Sequence, residues 1–357
     1  MLSFPYPIMV RTILLGAGLI LASVPTCARM GTADLLKELE KSSAAEKPLL
    51  VRALGRSAGK RAVAPILKLF DIRGGSPDLS SAVVDALGRS GSREATAALL
   101  DAWEYLMEMR FRMAALPAHL QTLRARIAEA LGRIGDPKAL SALRRGLIDE
   151  DPRVAERSME ALARMRDAQS LDMILRHLGA RDPQLTQAAY EALGEFRGEE
   201  KARSALRAGI ENGTPAAQVM SSYGLARLGE DVGLLKLEGF LEEVADPYPE
   251  GMLAAYYLVK LGKKQGLEYL LRVFEDEKST LRLGALQALG KSGEAKAAAS
   301  LAKRAEEGKE PTAIRLPLVM ALGRLGGTRA IHALKKAQDD ADAEVRGLLH
   351  DKIAEFG

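Results

Sequence analysis

Apolar residues return along this chain at two spacings at once. Within short stretches they fall three and four residues apart, the spacing of one face of a helix. Over longer distances the whole stretch comes round again. An anchor leucine marks it, inside Ala-Leu-Gly at Leu54, Leu87, Leu131, Leu193, Leu289 and Leu322 and in variants of that phrase at Leu162, Leu225 and Leu258, with Ile353 in the last copy. The steps between these anchors are 33, 44, 31, 31, 32, 33, 31, 33 and 31 residues. Apolar or small residues recur eight, four and one before the anchors, as Leu281, Ala285 and Ala288 do before Leu289. A glycine follows the anchor by four residues in seven of ten copies, where a left-handed residue closes a helix. A fixed period of this length predicts a stack of helical hairpins.

The anchors lie on the second helix of each repeat. The stretch between reads as a first helix, with Ala139, Leu140, Leu143 and Leu147 on one face. Asp136-Pro137, Asp151-Pro152 and Asp182-Pro183 place an amide-accepting carboxylate before a proline suited to the first helical position. Ser43 with Glu46 predicts a capping box. Pro65 and Pro317 are expected to bend the helices that hold them. One hairpin cannot bury its apolar face alone, whereas ten stacked hairpins can. The fold class expected is therefore all-α, an α-α superhelix of about ten helical-hairpin repeats over residues 32–357. The one long step holds about twelve extra residues between Ser92 and Pro117, including Trp103, Leu106, Met107, Met109, Phe111 and Met113. They predict either a lengthened first helix around 92–116 packed over its neighbours or an adaptable Met-rich docking patch.

Ala-Leu-Gly-Arg-Ile-Gly followed by Asp-Pro, with Leu281-Arg282, Ile314-Arg315 and Val345-Arg346 opening second helices, resembles the short HEAT repeat of the phycobilisome-lyase type. The Trp and Tyr signature of tetratricopeptide repeats is missing, since Trp103 is the only tryptophan, and so is the ankyrin Thr-Pro-Leu-His. The resemblance implies a solenoid with an inward-facing row of second helices and says little about the partner, because members of that family differ widely in function.

No local motif carries chemistry. Gly55-Arg56-Ser57-Ala58-Gly59 matches a nucleophile pattern but ends a helix, where no strand leads into it. With Lys60 it is one residue short of a phosphate loop, and Arg61 stands where Ser or Thr would hold magnesium. None of His119, His177, His332 and His350 is followed by Glu, so the di-iron pattern of HEAT-type deoxyhypusine hydroxylases is absent, and none has metal-ligand spacing. No catalytic residue, metal or cofactor is expected, and the chain reads as non-enzymatic.

Two ladders do stand out. Two residues after the anchor, eight copies are basic, among them Arg56, Arg89, Arg133, Arg164, Arg227, Lys260, Lys291 and Arg324. Two before it stand Asp85, Glu129, Glu160 and Glu191, then Tyr223 and Tyr256. Asp85 with Arg89, Glu129 with Arg133 and Glu160 with Arg164 fit i, i+4 ion pairs on a helix surface. They also fit a lined concave face, with an acidic track at Glu129, Glu160 and Glu191. Tyr223 and Tyr256, expected to be partly exposed beside Arg227 and Lys260, have the composition of an interface hot spot.

Charge narrows the partner. Lys plus Arg is 51 against 47 Asp plus Glu, a net +4, without the excess that nucleic-acid binding calls for. A protein or peptide partner is expected, and no nucleic acid. Arg11 precedes a twelve-residue apolar run, Ile13 to Val24, too short to span a bilayer and suited to a signal peptide covering residues 1–28. Translation starting at Met9 would give that signal a more usual beginning. Cleavage after Ala28 and lipidation at Cys27, the only cysteine, compete as its ending. The membrane would be reached only through that lipid. The leading expectation is a scaffold or adaptor of a bacterial cell envelope, in the periplasm or lipid-anchored, holding a protein or peptide on its concave surface. The alternative that the resemblance implies is a phycobilin lyase or isomerase, which the export signal opposes. A DNA-binding HEAT protein of the alkylpurine-glycosylase type is opposed by both charge and export.

Overall fold

The structure is a computed structural model that describes residues 31–57, 59–113, 116–242, 248–337, 340 and 342–356. Among them are twenty α-helices and no strand. They run α1 (Thr32–Lys41), α2 (Lys47–Ser57), α3 (Val63–Leu67), α4 (Pro77–Ser90), α5 (Thr96–Arg112), α6 (Ala118–Ile134), α7 (Leu140–Gly146), α8 (Pro152–Arg164), α9 (Leu171–Leu175) and α10 (Pro183–Leu193). Then follow α11 (Glu200–Asn212), α12 (Pro215–Leu228), α13 (Asp231–Glu242), α14 (Pro249–Lys260), α15 (Lys264–Glu275), α16 (Arg282–Ser292), α17 (Ala295–Glu307), α18 (Thr312–Leu325), α19 (Gly327–Lys336) and α20 (Ala343–Phe356). Odd helices are the first and even helices the second of each hairpin, and each even helix packs on the even helix of the next repeat.

The Ala-Leu-Gly phrase explains the stack. The nine anchor leucines from Leu54 to Leu322 are all fully buried. The glycine after the anchor faces the alanine before the next one. A Cβ on Gly55 would lie 2.7 Å from the Ala86 backbone, one on Gly88 2.8 Å from Ala130, one on Gly132 2.4 Å from the Ala161 methyl, and one on Gly290 2.8 Å from Ala321. Each phrase thus drives its leucine into the core and lets two second helices touch backbone to backbone. The period in the sequence is the spacing of this contact.

Helix boundaries follow the punctuation. Asp136, Asp151 and Asp182 accept from the amides of Lys138, Arg153 and Gln184 at 3.1, 3.0 and 2.7 Å. Ser43 and Glu46 close the capping box, the Ser43 amide donating to Oε2 at 2.9 Å. Pro65 falls in a short helix entered through a 3-10 turn, Gly59–Ala62, so that repeat has no long first helix to bend. Pro317 sits inside α18. Gly135 takes a φ of 68° at the left-handed closing position. In α8 the equivalent place belongs to Arg166, the one non-glycine with positive φ among the described residues, at 52°. That conformation costs an L-residue about 1–2 kcal/mol, against about 0.5–1 kcal/mol for glycine's extra freedom in the unfolded chain. Arg166→Gly is therefore expected to stabilise the protein by about 0.5 kcal/mol. Chemical denaturation checks it, and a loss of stability would mean that the exposed arginine contributes a contact worth more than its backbone strain.

The long step between Leu87 and Leu131 is taken up by α5, at 17 residues a long first helix. Trp103 and Leu106 are fully buried. The Trp103 ring lies over Gly146 of α7, 3.1 Å from where a Cβ would stand. These side chains cover neighbouring helix, and among the described apolar side chains of the segment only Met113, at its end, is exposed.

Candidate functional site: a groove along the second helices

Three positions on each second helix, six and two before the anchor and two after it, lie one turn apart and share a face. Repeated from α8 to α18 they give three rows: Glu156, Gln187, Val219, Met252, Leu283 and Leu316; Glu160, Glu191, Tyr223, Tyr256, Gln287 and Met320; Arg164, Glu195, Arg227, Lys260, Lys291 and Arg324. The structure hollows this face into three adjoining cavities. One of about 610 Å³ spans Glu156 to Lys291 and one of about 240 Å³ lies between Gln187 and Lys291, sharing Gln187, Tyr256 and Lys291 with the first. One of about 720 Å³ runs from Gln287 to Leu348 and shares Gln287 and Lys291 with the second. Together they make one groove.

This face is the short side of the stack. Lys260 on α14 reaches Glu191 on α10, two repeats earlier, with Nζ 2.7 Å from Oε2. The Tyr257 hydroxyl donates to the same carboxylate at 3.1 Å, and the Gln187 amide does so at 2.9 Å. Side chains two repeats apart meet only where the stack curves inward. Helix α12 passes beneath and fills the gap with Tyr223, whose ring stacks on Tyr257 at 4.2 Å between centroids and 11° between planes. Lys260 Nζ sits 5.0, 5.5 and 5.7 Å from the ring centres of Tyr223, Tyr256 and Tyr257. Burial first, then the Glu191 charge, drives the Tyr257 hydroxyl well above the tyrosine range, so it stays a donor. Burial alone would lower Lys260, but Glu191 and the tyrosine hydroxyls outweigh it and hold the ammonium above its ordinary value.

This cluster corrects the expectation for Tyr223. Its ring is 1% exposed and is covered by Tyr257, while Tyr256 is half-buried and lines the groove. The Tyr223 hydroxyl accepts from Arg227 Nη1 at 3.0 Å. Tyr257 escaped the sequence reading, although a signal was there. It stands immediately before the anchor, where seven other copies carry Ala, one carries Gly224 and the last carries Lys352.

The ladders pair differently from the i, i+4 expectation. Glu129 does pair with Arg133. Asp85 instead bonds Arg126 of the next second helix at 2.6 Å, and Glu160 bonds Arg157 at 2.8 Å. Arg227 takes Glu195 of the preceding repeat. Glu160 and Glu191 line the 610 Å³ cavity together with Glu156, and Glu129 lies outside that lining. Burial, then the nearby Glu160, Glu191 and Asp182, lifts Glu156 above the usual carboxylate range in spite of Arg157. Glu160, Glu156 and Glu129 in turn raise Arg157 against the effect of its burial. Arg157 therefore holds Glu156 and Glu160, while Glu129 is held by Arg133 and Glu191 by Lys260.

Beyond Tyr256 the groove changes character. Met252, Leu253, Leu316, Pro317, Met320 and Leu348 line it, and Leu283 stands 40% exposed along the same row. Its cations Lys291 and Arg324 make no ion pair among the described residues. Elsewhere, His177 bonds the Leu147 carbonyl at 3.0 Å and His332 lies 3.6 Å from Glu306. Among the described residues no three His, Cys, Asp or Glu side chains are grouped as metal ligands would be, and no helix is long and apolar enough to cross a membrane. Cys27, Arg11 and the run Ile13 to Val24 lie outside the described residues.

The family model for HEAT repeats matches residues 113–194 and 146–226, and that for the PBS lyase HEAT-like repeat matches 318–340. No curated protein matches the sequence. Among solved structures, human deoxyhypusine hydroxylase in complex with glycerol is similar at 16% identity, covering 85% of this chain and 98% of that one, with a TM-score of 0.38. The complex of CpcE and CpcF of phycocyanin lyase from Nostoc sp. PCC7120 is similar at 19% identity over 69% and 96%, with a TM-score of 0.35. An engineered protein is similar at 17% identity over 93% and 99%, with a TM-score of 0.36. Two of these three are enzymes, and this corrects the expectation of a non-enzymatic chain. That expectation rested on missing local motifs, and a solenoid groove gathers its polar groups from separate repeats, as Glu191, Tyr257 and Lys260 are gathered here.

Proposed function

The chain being a HEAT-repeat protein, we propose that it is a scaffold whose concave groove holds an extended segment of a partner protein. One observation carries the reading. The three cavities join into a single channel across seven successive second helices, α8 to α20, with Lys291 common to all three. A long channel of this kind fits a chain laid across the repeats better than it fits a compact ligand, and extended concave surfaces are what stacked repeats offer. The apolar run after Arg11 supports a place in the cell envelope, where the N-terminus of the native protein would begin after Ala28 or at a lipidated Cys27; intact mass decides between them.

Gln287 is exposed and borders both the 240 and 720 Å³ cavities, so Gln287→Trp should fill the channel without disturbing the core. Leu235, 66% exposed on α13, lies on the outer row. A partner that co-purifies from envelope extract is expected to lose about tenfold or more in affinity with Gln287→Trp, the scale of one blocked hot spot, and to be retained by Leu235→Gln. Equal retention by both variants would place the contact away from the groove.

A further inference from the structure

The C-terminal half of the groove has an order that names the chemistry of its occupant. From α14 to α18 the row six before the anchor is apolar, Met252, Leu283 and Leu316, and the row two after it is basic, Lys260, Lys291 and Arg324. Lys260 is already committed to Glu191. Lys291 and Arg324 are exposed and make no ion pair among the described residues, and Glu344 is the one acid lining their cavity, so two cations one repeat apart face the channel free to take carboxylates from a ligand. In the N-terminal half the opposite holds for the acids, since Glu160, Glu191 and Glu195 are each tied to a cation of the protein itself. A ligand attracted to this groove is therefore one that brings carboxylates to the C-terminal half together with apolar side chains.

The spacing of the rungs selects the backbone. Gly290 meets Ala321 closely enough that a Cβ would fall at 2.8 Å, so α16 and α18 are close-packed, with axes about 8–10 Å apart. A β-strand crossing them presents the same face about every 6.6 Å, which falls out of step. A polyproline II segment presents the same face every third residue, about 9 Å apart, one turn per helix crossed. It also needs no neighbouring strand to satisfy its backbone, which suits a channel walled only by helices.

Resting on the reading of the groove as a peptide channel, we propose that its C-terminal half binds a polyproline II segment of the partner carrying a carboxylate at every third residue and apolar residues between, the carboxylates meeting Lys291 and Arg324.

The probe is a fluorescein-labelled peptide of four Pro-Leu-Glu triplets, titrated against the full chain at low salt by fluorescence polarisation. The comparators are four Pro-Leu-Lys triplets and an alternating Leu-Glu peptide of equal length. The triplet acid peptide is expected to bind best and to weaken as salt rises. Lys291→Glu/Arg324→Glu should weaken it about tenfold, as two partly screened charge contacts would, and should reverse the preference towards the lysine peptide. Both residues are exposed and unpaired, so the melting temperature should not move. A random twelve-residue display library, selected on the same protein and re-tested on Gln287→Trp, separates the two failures. Peptides that need an open groove but show no acids at triplet spacing would overturn this inference and leave the groove reading standing. A library with no binder sensitive to Gln287→Trp would overturn both.

Discussion

Asp149→Ala is expected to lower the stability of the folded chain by about 3–5 kcal/mol, the cost of stranding a buried charge. Asp149 closes α7 with its side chain wholly buried, and Arg124 of α6 reaches it from a position where 2% of that side chain is exposed. Arg110 of α5 approaches the same carboxylate at 3.3 Å. Two guanidiniums from two helices therefore share one carboxylate, and burial, then Arg110, lowers the Arg124 pKa. Without Asp149 the buried Arg124 loses its carboxylate, while Arg110 keeps Glu150 at 2.8 Å. Urea unfolding and amide exchange over α5 to α8 should both register the loss. Adding Arg124→Met should recover most of it, because an apolar replacement removes the stranded charge together with its desolvation cost. A single-variant effect below about 1 kcal/mol would show that water or Glu150 compensates the cations, and the site would not be the closed triad described.

Leu162→Ala ranks next, at about 2–5 kcal/mol. Leu162 is fully buried, and the close contact of Ala161 with Gly132 beside it prevents the helices from closing over the space left behind. Leu235→Ala on the outer row, where the side chain is 66% exposed, should change stability by less than about 0.5 kcal/mol. A similar small effect at Leu162 would place the repeat in the wrong register.

Those anchors show how much of the architecture lay open in the sequence. Leu, Ala and Gly each occupy one place for a reason confined to a single helix and its next neighbour, so periodicity alone located the core, the even helices and their contact. The caps at Asp136, Asp151 and Asp182 were legible because a cap is settled within three residues. The groove was legible as rows of positions, and its bonding was not. Lys260 and Tyr257 reach a carboxylate 69 and 66 residues earlier, across an intervening helix. No local spacing encodes that approach. It depends on how sharply the stack bends, and the bend depends on packing summed over three repeats. Tyr223 was misplaced for the same reason, its cover being a ring from the following repeat.

The Glu191 cluster also bears on how the molecule responds to load. A column of units that touch only their neighbours behaves as a spring, each joint yielding independently under tension or torque. The bonds from Glu191 to Tyr257 and Lys260 bypass one unit and bridge two joints in parallel, like a strut across a hinge. Opening either of those two joints by pulling the ends apart would have to break the bonds to Glu191 as well, so the middle of the stack is expected to resist extension more than repeats joined only to their neighbours.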